Sequence, residues 1–293
     1  MYQARIEARS LHVELRGVRH HLRSWGPSGA PLIVMLHGWM DGSASFQFLV
    51  DALAAPYRVV APDWRGYGQS HYANASYWFP DYLADLDSLL RNLSPDAPVD
   101  IVGHSMGANV AGLYAGIRPR RVRRVVSMEG FGLGESHPRQ APARYGQWLA
   151  EIEARQAPRD YADHAGLAAR LRQENPRLPA DRAQYLAQHL GRVNDAGRVE
   201  FAADPWHRVV NPMLYRLEEA KACWHATSAP NLWIAGRESR YLAHFLPRAA
   251  ELEERMACVP DARLVWLENC GHNMHHEQPQ ELAQLIESFL HAA

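Results

Sequence analysis

Cysteine is scarce in this sequence, which contains three among its 293 residues, at positions 223, 258 and 270. Three cysteines so far apart fit neither a disulfide framework nor a zinc site with cysteine ligands. Their scarcity is typical of a reducing compartment, and we therefore predict a cytoplasmic protein.

Long apolar runs and an excess of charge are also missing. The longest clean apolar run, Leu32–Leu36, is far shorter than the roughly 20 residues that a membrane-spanning helix requires. Residues 1–10 alternate polar and apolar side chains, so they lack the apolar centre of a signal peptide. The 31 basic residues nearly balance the 32 acidic ones, which leaves a formal net charge of -1. We therefore expect neither a membrane nor a nucleic acid as a partner.

The sequence does contain an alternation of strand and helix patterns. Residues 3–25 alternate polar and apolar side chains around a turn near Gly17, which predicts an antiparallel hairpin. Because strands that alternate with helices require crossover connections, the rest predicts an α/β fold with a mostly parallel sheet flanked by helices. The runs that we assign to buried strands are 32–36, 58–61, 99–104, 122–128, 231–236 and 263–267.

The pattern of apolar and polar residues changes between residues 131 and 228. This stretch has no apolar run of the buried-strand kind, but it has amphipathic helical windows such as 182–190, separated by prolines. We interpret it as a helical cap inserted after the sixth strand. Residues 1–130 and 229–293 then form one core domain.

Ser105 lies between two glycines directly after a predicted strand. The segment Val99–Gly107 passes from apolar residues into Gly103, Ser105 and Gly107. A serine on such a tight bend has a strained backbone, and its neighbours must be nearly free of side chain to let strand and helix approach. The bend exposes the hydroxyl and places the Met106 N–H at the first turn of a helix, where it can stabilise an oxyanion. This geometry suits a nucleophile.

Three further motifs accompany Ser105 along the chain: His37–Gly38, Asp63–Ser70 and Gly271–His272. Their order and spacing resemble those of the α/β-hydrolase superfamily, and the resemblance covers essentially the whole chain. The segment His37–Asp41 also resembles that of a serine-hydrolase-like esterase subgroup. The resemblance implies an α/β-hydrolase fold with a helical cap.

The same resemblance implies a catalytic triad in the order serine, acid, histidine. Ser105 would be the nucleophile, and His272 would be the general base that takes its proton. The backbone N–H groups of Trp39 and Met106 would form the oxyanion hole.

The acid of the triad departs from the family's commoner pattern. Most members place it three residues beyond the glycine that ends the strand 231–236, but that position is Ser239 here, and Glu238 lies one residue earlier. Haloalkane dehalogenases and some esterases use instead the end of the strand after the nucleophile helix, where Glu129 stands, 24 residues past Ser105. A carboxylate there emerges at the carboxyl edge of the sheet beside the nucleophile. We therefore predict Glu129 as the acid, with Glu238 as the alternative.

Four more residues are predicted to border the substrate. We expect His37 to orient the oxyanion loop and His104 to pack or hydrogen-bond beside the nucleophile. Aromatic residues of the cap form its own core by default, and we expect Trp148 and Trp206 to be among those that face the pocket.

His275 and His276 follow His272 closely, which is a feature of some metal sites. The cluster lacks a carboxylate or cysteine at an accepted zinc spacing, and its setting between glycine and proline is that of a loop that enters a helix. We therefore expect no metal and no cofactor.

The predicted reaction is the hydrolysis of carboxylic esters with small to medium acyl groups. A serine nucleophile forms an acyl-enzyme, and water activated by His272 releases the acid. Ser105 argues against dehalogenase and epoxide-hydrolase chemistry, in which an aspartate occupies this position. A carbon–carbon bond hydrolase or a lactonase on the same triad, and a non-catalytic protein that binds a small molecule, are the alternatives. The expected partner is a small-molecule ester, and the sequence leaves the oligomeric state open.

Overall fold

The computed structural model describes residues 2–154, 157–245 and 249–292. No helix within these ranges is both long enough and apolar enough to cross a lipid bilayer. The strands are β1 (Arg9–Leu15), β2 (Val18–Trp25), β3 (Leu32–Leu36), β4 (Arg58–Pro62), β5 (Val99–His104), β6 (Val122–Met128), β7 (Asp160–Tyr161), β8 (Gly191–Val193), β9 (Val199–Phe201), β10 (Asn231–Gly236) and β11 (Ala262–Leu267). The α-helices are α1 (Gln47–Ala52), α2 (Phe79–Leu93), α3 (Met106–Ile117), α4 (Ala141–Ala154), α5 (His164–Glu174), α6 (Ala180–Leu190), α7 (Leu217–His225), α8 (Arg240–Phe245), α9 (Ala249–Met256), α10 (Met274–Glu277) and α11 (Pro279–His291).

Eight strands form one sheet in the order β1-β2-β4-β3-β5-β6-β10-β11. The pairs β1–β2 and β2–β4 are antiparallel, whereas every pair from β4 to β11 is parallel. This confirms the predicted α/β-hydrolase fold, with the predicted hairpin at one side of the sheet. Because the parallel strands share one direction, the residues that follow β3, β5, β6 and β10 lie along the same edge.

Two apolar layers cover the sheet. Val102 and Val126 pack in a cluster with residues of α1 and α11, whereas their neighbours Ile101 and Val125 pack with residues of α2 and α3. Successive side chains of a strand point to opposite faces, so each parallel strand contributes to both layers. This explains why the strands appear in the sequence as continuous apolar runs.

The segment 131–228, which we interpret as a cap and call the cap below, is mainly helical, but it also contains a small sheet that its sequence did not indicate. Strands β7, β9 and β8 pair in that order and are antiparallel. They have two or three residues each, which is too short for strand periodicity to be recognised. Helix α7, at the end of the predicted cap segment, packs against α3 where Gly116 meets the backbone of Cys223. This helix therefore flanks the main sheet.

His207, in the cap, packs against residues of the core. Its ring lies between those of Tyr67 and Tyr77, with centroid distances of 3.9 and 3.8 Å. Its Nε2 donates to the carbonyl oxygen of Arg65 over 3.1 Å. Burial of the side chain lowers the pKa of His207 to about 3. The ring is therefore neutral in the folded protein at neutral pH.

We expect His207 to make the free energy of unfolding fall as the pH drops below the ordinary histidine pKa of 6.5. In this range the unfolded chain binds a proton that the folded state excludes, at a cost of about 1.4 kcal/mol per pH unit. Urea unfolding at several pH values measures the effect, and His207→Gln should remove this part of the slope. The exposed His225 supplies the matched control, His225→Gln. Parallel pH profiles for wild type and His207→Gln would contradict the expectation.

Candidate active site

Ser105 occupies the sharp turn between β5 and α3. Its backbone has a φ of 51° and a ψ of -115°, a strained conformation for a residue with a side chain. The turn is held from the neighbouring strand β6, because the Ser105 N–H donates to the carbonyl oxygen of Met128 over 2.8 Å. The Ser105 carbonyl oxygen in turn accepts from the N–H of Asn109 at 3.0 Å. The predicted bend from strand to helix is therefore present.

Two glycines allow this turn to form. A Cβ at Gly107 would lie 2.2 Å from the carbonyl oxygen of Leu36 in β3. A Cβ at Gly103 would lie 2.5 Å from the Cα of Ala108 in α3. Both distances are far below van der Waals contact and involve backbone atoms. No larger residue fits at either position unless the strand or the helix moves.

His272 and Glu129 form a hydrogen-bonded pair. The Nδ1 of His272 lies 2.6 Å from the Oε2 of Glu129, whose side chain is fully buried. The carboxylate accepts two more hydrogen bonds, from the Gly236 N–H at 2.9 Å and from the Ser239 hydroxyl at 2.6 Å. These three donors hold the carboxylate in one orientation. Because Nδ1 carries the proton that Glu129 accepts, the lone pair of the neutral imidazole lies on Nε2.

The register of β6 against β10 places Glu129 at the edge of the sheet. Met128 pairs with Ile234, and the Glu129 N–H donates to the carbonyl oxygen of Ile234 over 3.1 Å. The backbone of Glu129 then turns sharply, with a φ of 54°. A residue with a side chain rarely adopts this left-handed conformation, and such residues cluster at functional sites.

Tyr241 contacts both Ser105 and His272. Its ring stacks on that of His272, with centroids 4.4 Å apart and 24° between the planes. Its hydroxyl is hydrogen-bonded to the side chain of Ser105, and burial raises the pKa of Tyr241 to about 12. His104 makes a second link, because its Nε2 donates to the carbonyl oxygen of His272 over 3.0 Å. The structure therefore brings Ser105, His272 and Glu129 together.

Glu238, the alternative acid, lies outside this group. Its carboxylate is partly exposed and forms an ion pair with Arg177 of the cap. Ser239, at the family's commoner acid position, donates to Glu129 instead. The geometry thus supports Glu129 as the partner of His272.

The two predicted oxyanion-hole residues belong to segments that adjoin Ser105. Met106 is the first residue of α3, so its N–H has no acceptor within the helix. Gly38, which precedes Trp39, approaches Ser105 so closely that an added Cβ would lie 3.2 Å from the Ser105 Cβ. The indole Nε1 of Trp39 donates to the carbonyl oxygen of His207 over 3.0 Å, which anchors this loop to the cap.

His37 and His104 are buried in the structure. The Nε2 of His37 accepts from the N–H of Trp64 at 3.0 Å, and its Nδ1 donates to the carbonyl oxygen of Gly38 at 2.8 Å. Burial lowers the pKa of His37, and burial together with the nearby His275 lowers the pKa of His104. The contacts of His37 and His104 support a role in positioning the loop and the nucleophile rather than direct contact with a substrate.

The two predicted cap tryptophans have different surroundings. Trp206 borders a cavity of about 400 Å³ whose walls also include Glu151, Asp204 and Arg208. The Nε1 of Trp148 lies 3.4 Å from the Ser76 hydroxyl oxygen, at the long end of hydrogen-bond distances. The described walls of the cavity come from the cap and from the loop at residue 74, so the structure places it in the cap and not at the serine.

Sequence reasoning missed the contacts of Ser239 and Tyr241. The contact of Ser239 could have been predicted from its position, which is the family's commoner site for the acid. A hydroxyl there can reach the carboxylate of Glu129, which follows the neighbouring strand β6. Tyr241 lies near the start of a helix, and nothing in the local pattern indicates that its ring faces the histidine.

Comparisons with known proteins are consistent with this geometry. The sequence model of the alpha/beta hydrolase fold family matches residues 31–279. A serine hydrolase-like protein of Danio rerio is 26% identical over 285 residues, which cover 94% of this chain and 85% of the relative. The sn-1-specific diacylglycerol lipase of Mus musculus is 27% identical over 282 residues, which cover 90% of this chain and 82% of the lipase. The structure of the thioesterase domain from the curacin biosynthetic pathway matches with a TM-score of 0.83 and 28% identity, covering 96% of this chain and 99% of that one.

Proposed function

Because this chain belongs to the alpha/beta hydrolase family, we propose that it is a serine hydrolase that cleaves carboxylic esters with small to medium acyl groups. The observation that carries the proposal is the 2.6 Å contact between His272 Nδ1 and the buried Glu129 carboxylate, beside the strained turn of Ser105. A diacylglycerol lipase and a thioesterase are among the similar proteins, and both act on acyl groups. Their activities support the same reaction class.

In the proposed first step, the Nε2 of His272 takes the proton of the Ser105 hydroxyl while the oxygen attacks the acyl carbon. Glu129 keeps the ring oriented through Nδ1 and stabilises the imidazolium that forms. The backbone N–H groups of Met106 and Trp39 bind the oxyanion of the tetrahedral intermediate. His272 then protonates the leaving alcohol, and the acyl group remains on Ser105.

In the second step, water attacks the acyl-enzyme. His272 removes a proton from this water, and the same oxyanion donors stabilise the second tetrahedral intermediate. Collapse of that intermediate returns the proton to Ser105 and releases the carboxylic acid.

A fluorophosphonate probe and a series of p-nitrophenyl esters of increasing acyl length test the proposal. The wild type should be labelled at one serine and should hydrolyse the shorter esters fastest. Ser105→Ala should lose both the labelling and the hydrolysis while it keeps the thermal stability of the wild type.

Two other outcomes would overturn the proposal in different ways. Labelling without hydrolysis of any ester would retain the nucleophile but reject the substrate class, in favour of a lactonase or a carbon–carbon bond hydrolase. A folded wild type that is neither labelled nor active would favour a protein that binds a small molecule without turnover.

A further inference from the structure

Asp41, His275 and His276 form a buried cluster behind the candidate active site. One possible ligand atom from each lies within 4.8 Å of the others. His275 is fully buried, and Asp41 and His276 are 8% and 7% exposed. The sequence-based expectation of no metal rested on the lack of a carboxylate near the two histidines. The fold supplies one from a segment more than two hundred residues away in the chain.

The two histidines of this cluster lack hydrogen bonds at buried ring nitrogens, whereas the Oδ2 of Asp41 accepts from the Ser45 hydroxyl at 2.9 Å. Neither ring nitrogen of His275, nor the Nε2 of His276, has a hydrogen-bond partner in the described part of the chain. Buried nitrogens of this kind are destabilising unless they are hydrogen-bonded or coordinate a metal. A neutral imidazole has one lone pair, on the ring nitrogen that carries no hydrogen, so these unpartnered nitrogens point to a ligand that accepts one lone pair from each ring.

The spacing within the cluster suits a metal ion better than a direct hydrogen bond. The Nε2 of His275 lies 3.5 Å from the Oδ2 of Asp41, beyond the usual hydrogen-bond range. Two ligand atoms on a tetrahedral zinc ion, each bonded at about 2.1 Å, lie about 3.4 Å apart. This pair already has that separation, and a ligand atom of His276 lies within 4.8 Å of both.

Two imidazoles and one carboxylate are a donor set that zinc accepts in proteins. We propose that Asp41, His275 and His276 bind one divalent transition-metal ion, of which Zn²⁺ is the representative. The proposal does not depend on the proposed esterase activity.

The position of the cluster would connect two parts of the active site. Asp41 lies on the loop that carries Trp39, two residues further along, whereas His275 lies three residues after His272. The ring of His275 also packs against that of His104, with centroids 4.4 Å apart. A bound ion would therefore tie the oxyanion loop to the loop that carries the catalytic histidine.

Zinc binding to tag-free, chelator-treated protein tests the proposal. Equilibrium dialysis against buffered Zn²⁺, followed by elemental analysis, should give one ion per chain for the wild type. Asp41→Asn and His276→Gln should each bind at least 10-fold more weakly, because even the loss of an outer partner of a metal ligand costs 10-fold or more. The exposed residues Asp96 and His71 supply matched controls, Asp96→Asn and His71→Gln, which should bind as the wild type does.

Co²⁺ provides a readout that does not require the variants to fold. In the wild type, its visible absorption should show the intense bands of a four-coordinate ion without the charge-transfer band of a thiolate ligand. Failure of the wild type to bind one Zn²⁺ per chain would overturn the proposal. Equal affinity in folded Asp41→Asn, His276→Gln and wild type, or a thiolate band with Co²⁺, would also overturn it.

Discussion

Glutamine in place of Glu129 is expected to lower kcat for ester hydrolysis by about 10⁴-fold, the effect of the equivalent change in serine proteases. The amide has nearly the same shape, so the protein should still fold. However, glutamine has one acceptor oxygen for three donors, and of these the backbone N–H of Gly236 cannot rotate away. The amide oxygen should therefore face Gly236, which leaves the amide nitrogen facing His272 Nδ1 and the Ser239 hydroxyl, from which it cannot accept a hydrogen bond. The imidazole then loses the orientation and the tautomer that leave its Nε2 free to take the proton of Ser105.

Glu238→Gln is the matched control for this prediction. Glu238 is partly exposed, and its ion pair with Arg177 lies at the surface, where such pairs contribute about 1 kcal/mol or less to stability. Steady-state kinetics with one p-nitrophenyl ester should therefore give a kcat for Glu238→Gln close to that of the wild type. If only Glu238→Gln loses turnover, the assignment of the acid to Glu129 is wrong.

The choice between these two glutamates shows how far sequence reasoning reaches. Glu129 could be selected because a residue at the end of a parallel strand must lie at the carboxyl edge of the sheet, and the strand itself was clear from its apolar run. The hydrogen bond from Ser239 depends on the separation of β6 and β10, which no local pattern specifies. The donors that surround the Glu129 carboxylate are therefore set by strand order and register, which residue types alone do not reveal.

The sequence did not reveal which distant segments contact one another around the candidate site. Asp41 and His275 are separated by most of the chain, and only the folded sheet brings their loops together. Tyr241 faces His272 because α8 begins only four residues after the end of β10, but the rotation of its ring is set by packing. The strands of the cap were missed for a different reason, since a strand of two residues has no measurable period.

Alanine at Gly107 is expected to lower the free energy of unfolding by about 3 kcal/mol and to abolish labelling by a fluorophosphonate. Helix propensity alone predicts the opposite sign, because alanine in place of glycine stabilises a helix by about 1 kcal/mol. The contact with β3 should outweigh this gain, since the new Cβ would lie 2.2 Å from the carbonyl oxygen of Leu36. That oxygen belongs to the backbone of a buried strand and cannot rotate away, so α3 must move and take Ser105 with it.

Gly146 in α4 provides the control that separates the two effects. It lies in an exposed helix, and an added Cβ there would meet nothing within 4 Å. Gly146→Ala should therefore show the propensity gain alone and raise the free energy of unfolding by up to about 1 kcal/mol. Urea unfolding of both variants measures the difference, and labelling rates report the position of Ser105. If Gly107→Ala were as stable and as reactive as Gly146→Ala, close approach of β3 and α3 could not be the reason for a glycine at this position.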